Sequence, residues 1–210
     1  GSESDWRLAN TRSYKETFTE ENGYYLLFED AQQKQENQVK AVRNFILQEV
    51  DYIVLDAIAE TGWDAVLSEA KEAGIPVILS DRSVQVEDDG LYTCWIGSDF
   101  KAQGRNAAKW LAGYLERKNR ADEQIRIVTL EGTPGSTAQI GRTEGFLQIL
   151  EKHKNWTMLE QQSGEFVQAK AHEVMEQFLR TYSDIDVVVC QNDNMAFGAI
   201  DAMKEAGRSY

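Results

Sequence analysis

Polar and aromatic side chains that could hold a small polyhydroxylated ligand recur where predicted strands end. Ligands of open parallel sheets bind beyond the carboxyl ends of the strands. Planar carboxylate, amide and guanidinium groups can bond adjacent hydroxyls in pairs, and aromatic faces can cover the C–H faces of a ring. Any one such residue could instead be a helix cap or a turn residue, but recurrence at six places favours a polyol site. The six places are Ser4–Arg7, Asp56, Asp81-Arg82, Gly132–Thr137, Glu165-Phe166 and Gln191–Asp193.

The side-chain arrangements that enzymes use are poorly represented. The GTPGST stretch lies between a predicted strand and a predicted helix, but it lacks the GK[ST] ending of a phosphate-binding P-loop and is not GxGxxG. No GxSxG motif is present, and His153 and His172 have neither triad nor metal-ligand spacing. Asp56 and Asp81 could form an acid–base pair, yet Arg82 would keep Asp81 ionised. We therefore expect no catalysis, no metal and no cofactor.

Short apolar runs alternate with segments of helical period. The runs YYLLF, YIVLD, IPVIL, IRIVTL and IDVVVC, which begin at residues 24, 52, 75, 125 and 185, predict buried strands. Helices are predicted over 38–48, around Val66–Ala70 before Gly74, and over Ala102–Leu115, Ile140–Leu150, Ala169–Leu179 and Met195–Ala206. Strands that are apolar throughout need cover on both faces. The pattern therefore predicts an α/β protein with parallel sheets and right-handed crossovers.

The alternation is interrupted near 86–98, where an acidic VEDDG stretch precedes a strand-like YTCWIG. We therefore expect two lobes, residues 1–94 and 95–210, joined by a thin connection. The sequence begins in a loop that leads into a helix and ends just after a helix. We accordingly expect the first lobe to lack its first strand and the second lobe to lack its last elements.

The composition is that of a folded, acidic protein. Of 210 residues, 42% are hydrophobic, and 22 Lys+Arg against 35 Asp+Glu give a net charge of −13. This charge argues against nucleic acid or an anionic membrane surface as the main partner and favours a solvated monomer. No apolar run approaches the roughly 20 residues of a membrane-spanning helix. Cys94 and Cys190 lie in strand-like runs, and we expect both to be buried and neither to form a disulfide.

Five stretches of the sequence resemble periplasmic sugar-binding proteins of the ribose-binding, type I periplasmic-binding-protein family. They are GSESDWR, DAQQKQENQVKAVRNF, AGIPVILSDRSV, EGTPGSTAQIGRTEGF and QNDNMAFGAIDAMKEAG. The DRS and QND motifs are shared across the family, whereas GSESDWR with DAQQKQENQ resembles its galactofuranose-type subgroup. The resemblance implies two Rossmann-like lobes with parallel sheets, on a hinge that closes over one sugar.

The resemblance also implies which side chains bind the sugar. It matches Trp6 and Arg7 to the stacking and hydrogen-bonding position of the first lobe. The positions of Asp81-Arg82 and Arg142 at the carboxyl ends of strands in different halves predict that Arg142 faces Asp81 and Arg82 from the opposite lobe. Family members are considerably longer and contribute a further Asp and a Gln or Asn that this sequence lacks. The implied ligand-binding residues are Trp6, Arg7, Asp81, Arg82, Arg142, Phe166 and Asn192, with Asp5 and Asp56 as weaker matches.

By the same resemblance, we expect an extracytoplasmic receptor, periplasmic or held at the cell surface as a lipoprotein. It would capture a monosaccharide and deliver it to the permease subunits of an ABC transporter. The monosaccharide would be a pentose or a hexose, and the candidates include furanose forms such as galactofuranose. The same fold also serves as the ligand-sensing domain of transcription repressors and membrane-bound sensor kinases, which is the alternative. A repressor would carry a basic helix-turn-helix before its first strand, and none is visible in this sequence. An α/β enzyme, the third class, would need a nucleophile, metal or cofactor motif.

Overall fold

The computed structural model of the protein describes residues 3–208, which form two α/β units. Unit 1 extends to Ser98 and unit 2 begins at Asp99. No helix within residues 3–208 combines the length and the apolar composition needed to cross a membrane. Each unit has a sheet of parallel strands, so the predicted α/β class with parallel sheets is confirmed within each unit.

Unit 1 contains one parallel sheet of strand order β1-β2-β3. Ile53 pairs with Val77, and Leu79 pairs with Trp95. The predicted runs at 52 and 75 are thus strands, because their alternate side chains pack into a core that includes the buried Trp63. The elements are α1 (Asp5–Thr17), a 3-10 turn (Glu20–Asn22), α2 (Gln35–Leu47), β1 (Ile53–Leu55), α3 (Asp64–Glu72), β2 (Val77–Asp81), a 3-10 turn (Asp89–Leu91) and β3 (Cys94–Gly97).

Unit 2 contains a parallel sheet of order β5-β4-β6 between two pairs of helices. Strand β4 is central, and its residues belong to two cores: Ile127 packs in one and Leu130 in the other. A strand buried on both faces is mostly apolar, and the apolar residues of β4 made this run recognisable in the sequence, although its buried Thr129 is polar. The elements are α4 (Phe100–Arg117), β4 (Ile125–Glu131), α5 (Thr137–Leu150), β5 (Trp156–Ser163), α6 (Gln168–Thr181), β6 (Val187–Cys190) and α7 (Asp193–Glu205).

The predicted strand at Tyr24 is wrong. Residues 24–28 form no regular element, and Tyr25 is 80% exposed. A strand needs a neighbour that accepts and donates its backbone hydrogen bonds. Within residues 3–208, the sheet of unit 1 consists of β1, β2 and β3 alone, so no strand lies beside this apolar run.

Strand β5 was missed, because its second half is polar (LEQQS) and an edge strand needs less apolar character. The unit boundary also differs from the expected one. Residues 95–97 belong to unit 1, since β3 pairs with β2 through Trp95 and Ile96, and the units divide after Ser98 rather than after Cys94.

The two cysteines differ from each other in exposure. Cys190 ends β6 and is partly buried, whereas Cys94 is exposed, against expectation. All four residues of β3 are exposed, because β3 is an edge strand and the described residues place no covering element on it. Burial raises the pKa of the Cys190 thiol to about 12, so this group remains a neutral thiol at physiological pH and is a poor nucleophile.

Candidate functional site

Five charged side chains of unit 1 meet beside the carboxyl ends of β1 and β2. We call Glu3, Arg7, Asp56, Asp81 and Arg82 the acid–arginine cluster. Asp56 directly follows β1, Asp81 is the last residue of β2, and Arg82 follows it. Arg7 lies in the first turn of α1, and Glu3 immediately precedes the Ser4 N-cap of that helix. Residues distant in sequence are therefore gathered where parallel sheets bind ligands.

Arg7 lies at the centre of the cluster and is only 5% exposed. Its Nη2 donates to Asp81 Oδ2 at 2.9 Å, its Nε donates to Glu3 Oε1 at 3.2 Å, and its Nη1 pairs with Asp56. Three carboxylates thus share one guanidinium, which holds each in a defined orientation. Ser4 caps α1 by accepting a hydrogen bond from the Arg7 amide, and this cap sets the position of Arg7 in the first turn.

Asp81 has a left-handed backbone conformation, with φ of +60°. Such a conformation costs about 1–3 kcal/mol in a non-glycine residue and persists only where neighbours enforce it. The indole Nε1 of Trp95 donates to the Asp81 carbonyl at 3.1 Å, and Arg7 holds the carboxylate. The backbone turn at the end of β2 therefore directs the Asp81 side chain to Arg7.

The second guanidinium of the cluster, that of Arg82, is also buried. Its Nη1 donates to the carbonyl of Ile58 at 3.3 Å, and its Nε lies 3.9 Å from Asp81 Oδ2. Arg82 therefore connects the end of β2 to the segment after β1, and it adds a second positive charge beside the three carboxylates.

Two carboxylate oxygens of the cluster are buried and make no hydrogen bond among residues 3–208. They are Glu3 Oε2 and Asp56 Oδ1. Arg7 Nη1 is likewise buried without a hydrogen bond in this part of the chain, and its contact with Asp56 is an ion pair. The second oxygen of each carboxylate is hydrogen-bonded: Glu3 Oε1 accepts from Arg7 Nε, and Asp56 Oδ2 accepts from Asn10 Nδ2 at 3.1 Å. Buried acceptors in native proteins are normally paired. Glu3 Oε2 and Asp56 Oδ1 therefore keep hydrogen-bonding capacity that residues 3–208 do not use.

Trp6 supplies an aromatic surface next to the cluster. Its side chain is among the exposed large hydrophobic residues, at 54%, and the Arg7 guanidinium carbon lies 5.0 Å from its ring centroid. Asp5 is exposed in the first turn of α1, where a negative charge suits the helix dipole. The alternative of Trp6 as a packed helix staple is not favoured by this exposure.

In unit 2, Arg142 on α5 is held at the carboxyl end of the sheet. Its Nη1 donates to the Gln191 carbonyl at 2.7 Å and its Nε to Gln103 Oε1 at 2.9 Å. Its guanidinium also lies over two aromatic rings, 5.2 Å from the centroid of Phe100 and 5.8 Å from that of Phe166. These contacts hold the guanidinium in a defined position.

Phe166 and its neighbour Glu165 both have positive φ, +63° and +56°. This tight turn after β5 brings the Phe166 ring over Gly132, where an added Cβ would lie 1.9 Å from a ring atom. Only glycine allows this approach. The Phe166 ring is consequently buried, with its side toward Arg142 occupied by the guanidinium.

Asn192 is the N-cap of α7. A helix cap is the alternative role that the sequence left open for each polar residue at a strand end. Its Oδ1 accepts from the Met195 amide at 2.9 Å, and its Nδ2 donates to the Phe166 carbonyl at 3.1 Å. Ser136 of the GTPGST stretch likewise caps α5 by accepting from the Gln139 amide. Both motifs therefore have a structural role in starting a helix.

Three residues that hold these groups in place were not among the predicted ligands. Glu3 had a signal, its i,i+4 spacing from Arg7, although Glu3 itself precedes the N-cap of α1. Gln191, within the QND motif, donates to Thr143 Oγ1 at 2.8 Å and accepts from the Gly132 amide at 2.9 Å. Asn10 had no local signal, because its partner Asp56 lies 46 residues away.

The structure thus collects the predicted residues into two groups. Arg7, Asp56, Asp81 and Arg82 meet in unit 1 with Trp6 beside them. Arg142, Phe166 and Asn192 meet in unit 2. That Arg142 faces Asp81 and Arg82 stays a prediction.

Comparison with known proteins gives a consistent result. The family model described as "Periplasmic binding protein domain" matches residues 1–209. The chain is 41% identical over 210 residues to the galactofuranose-binding protein YtfQ of Escherichia coli (strain K12), covering 99% of this chain and 64% of that protein. The chain therefore spans somewhat less than two thirds of this curated relative.

Two solved structures are also similar. One is from Mycobacterium smegmatis in complex with β-D-fucofuranose, with a TM-score of 0.94, 44% identity, and coverage of 100% of this chain and 67% of that one. The other is the binding protein of the arabinose ABC transporter of Shewanella sp. ANA-3, bound to α- and β-L-arabinofuranose. Its TM-score is 0.92 at 44% identity, with coverage of 99% of this chain and 67% of that one.

Proposed function

This chain belongs to the periplasmic binding protein domain family, and from that premise we propose that it is the sugar-binding part of an extracytoplasmic solute receptor. The sugar is a monosaccharide in its furanose form, and the receptor delivers it to the membrane subunits of an ABC importer. Binding leaves the sugar chemically unchanged. The receptor acts as a monomer.

The acid–arginine cluster is the observation that carries this proposal. One buried guanidinium orients three carboxylates, and Glu3 Oε2 and Asp56 Oδ1 are buried acceptors without a partner within residues 3–208. A sugar offers several hydroxyl donors at fixed spacing, and charge-assisted hydrogen bonds are shorter and stronger than neutral ones. A sugar that leaves these acceptors unpaired is discriminated against strongly.

Trp6 and Arg142 supply the remaining recognition elements. The exposed Trp6 ring offers an apolar face for the C–H groups of the sugar. Arg142, held by Gln103 and Gln191, offers a preorganised donor that need not be ordered on binding. The cluster and Trp6 of unit 1 thus offer mainly acceptors and a stacking surface, and Arg142 of unit 2, considered by itself, offers a guanidinium.

The furanose preference is supported by the relatives. A protein named for galactofuranose, and structures that hold fucofuranose and arabinofuranose, share 41–44% identity with this chain. A five-membered ring places its exocyclic hydroxyls differently from a six-membered ring. Because the cluster is held rigidly by ion pairs, we expect it to discriminate between the two ring forms.

Locked glycosides test the proposal. Free sugars interconvert between ring forms, so methyl β-D-galactofuranoside and methyl β-D-galactopyranoside are titrated by calorimetry, with methyl α-L-arabinofuranoside as a third ligand. We expect a furanoside to bind at least tenfold more tightly than the pyranoside. NMR should recover the bound glycoside intact. Failure of every furanoside to bind, or hydrolysis in proportion to protein concentration, would contradict the proposal.

Two matched arginine variants connect binding to the cluster. Arg7→Lys keeps the charge but loses the fork that reaches three carboxylates. Arg43→Lys makes the same change in an exposed pair with Glu69 of the same unit. We expect at least tenfold weaker furanoside binding for Arg7→Lys and no change for Arg43→Lys. Asp81→Asn keeps the shape of the side chain and removes its charge. Its furanoside affinity tests the role of the cluster if Arg7→Lys folds poorly.

A further inference from the structure

Three metal-ligating side chains converge on the surface of unit 2, between α6 and α7. We call His172, Glu176 and Glu205 the α6–α7 triad. His172 Nε2 lies 3.1 Å from Glu205 Oε2, and one ligand atom from each residue lies within 4.8 Å of the others. The imidazole and one carboxylate are partly buried, and the second carboxylate is exposed.

The packing of the two helices fixes this arrangement. His172 and Glu176 are one turn apart on α6 and therefore lie on the same face. Glu205 is the last residue of α7. The backbones of α6 and α7 approach closely at Gly198, where an added Cβ would lie 2.2 Å from the Gln168 carbonyl oxygen. The distance between the imidazole and Glu205 is thus set by helix backbones rather than by a loop.

The chemistry of the triad selects a class of ion. Zn²⁺ takes imidazole nitrogen and carboxylate oxygen at about 2.0–2.2 Å, commonly with four ligands. Ca²⁺ and Mg²⁺ take oxygen ligands instead. The three ligand atoms, which lie within 4.8 Å of one another, would move closer together around one ion, and water would complete the coordination. We propose that the α6–α7 triad binds a divalent transition-metal ion of the Zn²⁺ class.

This site does not depend on the proposed sugar site. Glu205 lies at the opposite end of α7 from Asn192, which is about 20 Å along a helix of this length. The ion links α6 to α7 and therefore stabilises unit 2. The sequence alone predicts no metal, because Glu205 lies 33 residues from His172, although Glu176 follows His172 by only four residues.

One ion pair competes with the metal. Arg180 Nη2 donates to Glu176 Oε2 at 3.2 Å, one turn further along α6. The Arg180 side chain is largely exposed and that of Glu176 is 41% exposed, and solvent-exposed i,i+4 pairs contribute little. A divalent ion can therefore displace Arg180, and removing the guanidinium by Arg180→Gln should strengthen metal binding.

Calorimetric titration of the tag-free protein with ZnCl₂ tests the proposal, and Co²⁺ absorption in the visible region reports imidazole and carboxylate ligation. We expect one Zn²⁺ per chain. His172→Ala and Glu205→Gln should each weaken binding at least about tenfold, since even outer-sphere partners of metal ligands contribute roughly 10–100-fold. The matched controls are His153→Ala, whose imidazole stacks on Trp156, and Glu173→Gln, an exposed carboxylate on the same helix.

Each other outcome contradicts the proposal. Absence of Zn²⁺ binding at millimolar concentration overturns it, as does binding that survives His172→Ala or that His153→Ala abolishes. Equal affinity for Ca²⁺ would show an unspecific acidic surface. Circular dichroism checks that the variants are folded, and furanoside titration of the same variants should be unchanged. A failure of the metal proposal is thereby distinguishable from a failure of the proposed function.

Discussion

Removing the indole of Trp6 by Trp6→Ala should weaken furanoside binding about five- to thirtyfold. A tryptophan side chain can bury up to about 250 Å². With 54% of Trp6 exposed, about 135 Å² is available, and a sugar that covers one face removes about half of it from water. At about 25 cal/mol per Å², the lost contact corresponds to about 1.7 kcal/mol of binding free energy. This value lies within the predicted five- to thirtyfold loss of affinity.

Two measurements check this prediction. Calorimetry with the best-binding furanoside gives the affinity of Trp6→Ala, and Trp6→Phe, which keeps an aromatic face, should bind nearly as the parent does. Indole emission should change on sugar addition and should lose that change in Trp6→Phe. The matched control is Trp110→Ala, which removes a comparably exposed indole (63%) from α4.

Trp95 is the rival source of a fluorescence signal, because its indole donates to the Asp81 carbonyl in the acid–arginine cluster. Trp63, by contrast, is fully buried and donates to the Ala59 carbonyl at 2.8 Å, so it should report little. An emission change that persists in Trp6→Phe and disappears in Trp95→Phe would refute the stacking role of Trp6. So would an affinity of Trp6→Ala within twofold of the parent.

Three further predictions concern unit 2 and the cysteines. Arg142→Ala should weaken furanoside binding at least about tenfold, because a charge-assisted hydrogen bond contributes about 1.5–3 kcal/mol; calorimetry measures this. The hydrogen bond from Arg126 holds the pKa of Asp186 below its usual value, so the stabilisation is present above about pH 4 and is lost as the pH falls through the folded-state pKa. Asp186→Asn should therefore lower Tm by a few degrees at pH 7, for about 1–2 kcal/mol, and the difference should vanish in acid. Native-state alkylation at pH 8 should modify the exposed Cys94 rapidly and Cys190 slowly, since burial raises the pKa of the latter to about 12.

Each of these predictions has a control. Arg105→Ala removes a half-exposed arginine of the same unit, which lies 3.8 Å from Asp99, and should leave sugar binding unchanged. Asp184→Asn removes an exposed carboxylate that pairs with the same Arg126, and should change Tm little at any pH. Unfolding in denaturant should make both thiols react alike. A pH-independent loss of Tm in Asp186→Asn would show that the side chain acts by packing rather than by charge.

Local sequence patterns determined the fold class and the helices of this protein. Hydrophobic period reports which side of an element is buried, and that information is contained within about ten residues. The runs at 52, 75, 125 and 185 are therefore strands, and the amphipathic segments between them are helices. Polar residues after those runs, such as Asp56 and Asp81, lie at strand ends because a strand ends where its apolar run ends.

Only the tertiary structure decided what those residues do. Arg7 and Asp81 are 74 positions apart, and no local period reports that one guanidinium holds the carboxylates that follow two different strands. Asn192 could be a ligand or a helix cap by sequence; the structure shows that it caps α7, and its role as a ligand stays a prediction. The apolar run at Tyr24 has strand character but no neighbouring strand within residues 3–208, and His172 meets Glu205 only because α6 and α7 pack together. Pairing between distant segments is a property of the folded chain, because it depends on which surfaces are brought into contact rather than on the residues of either segment alone.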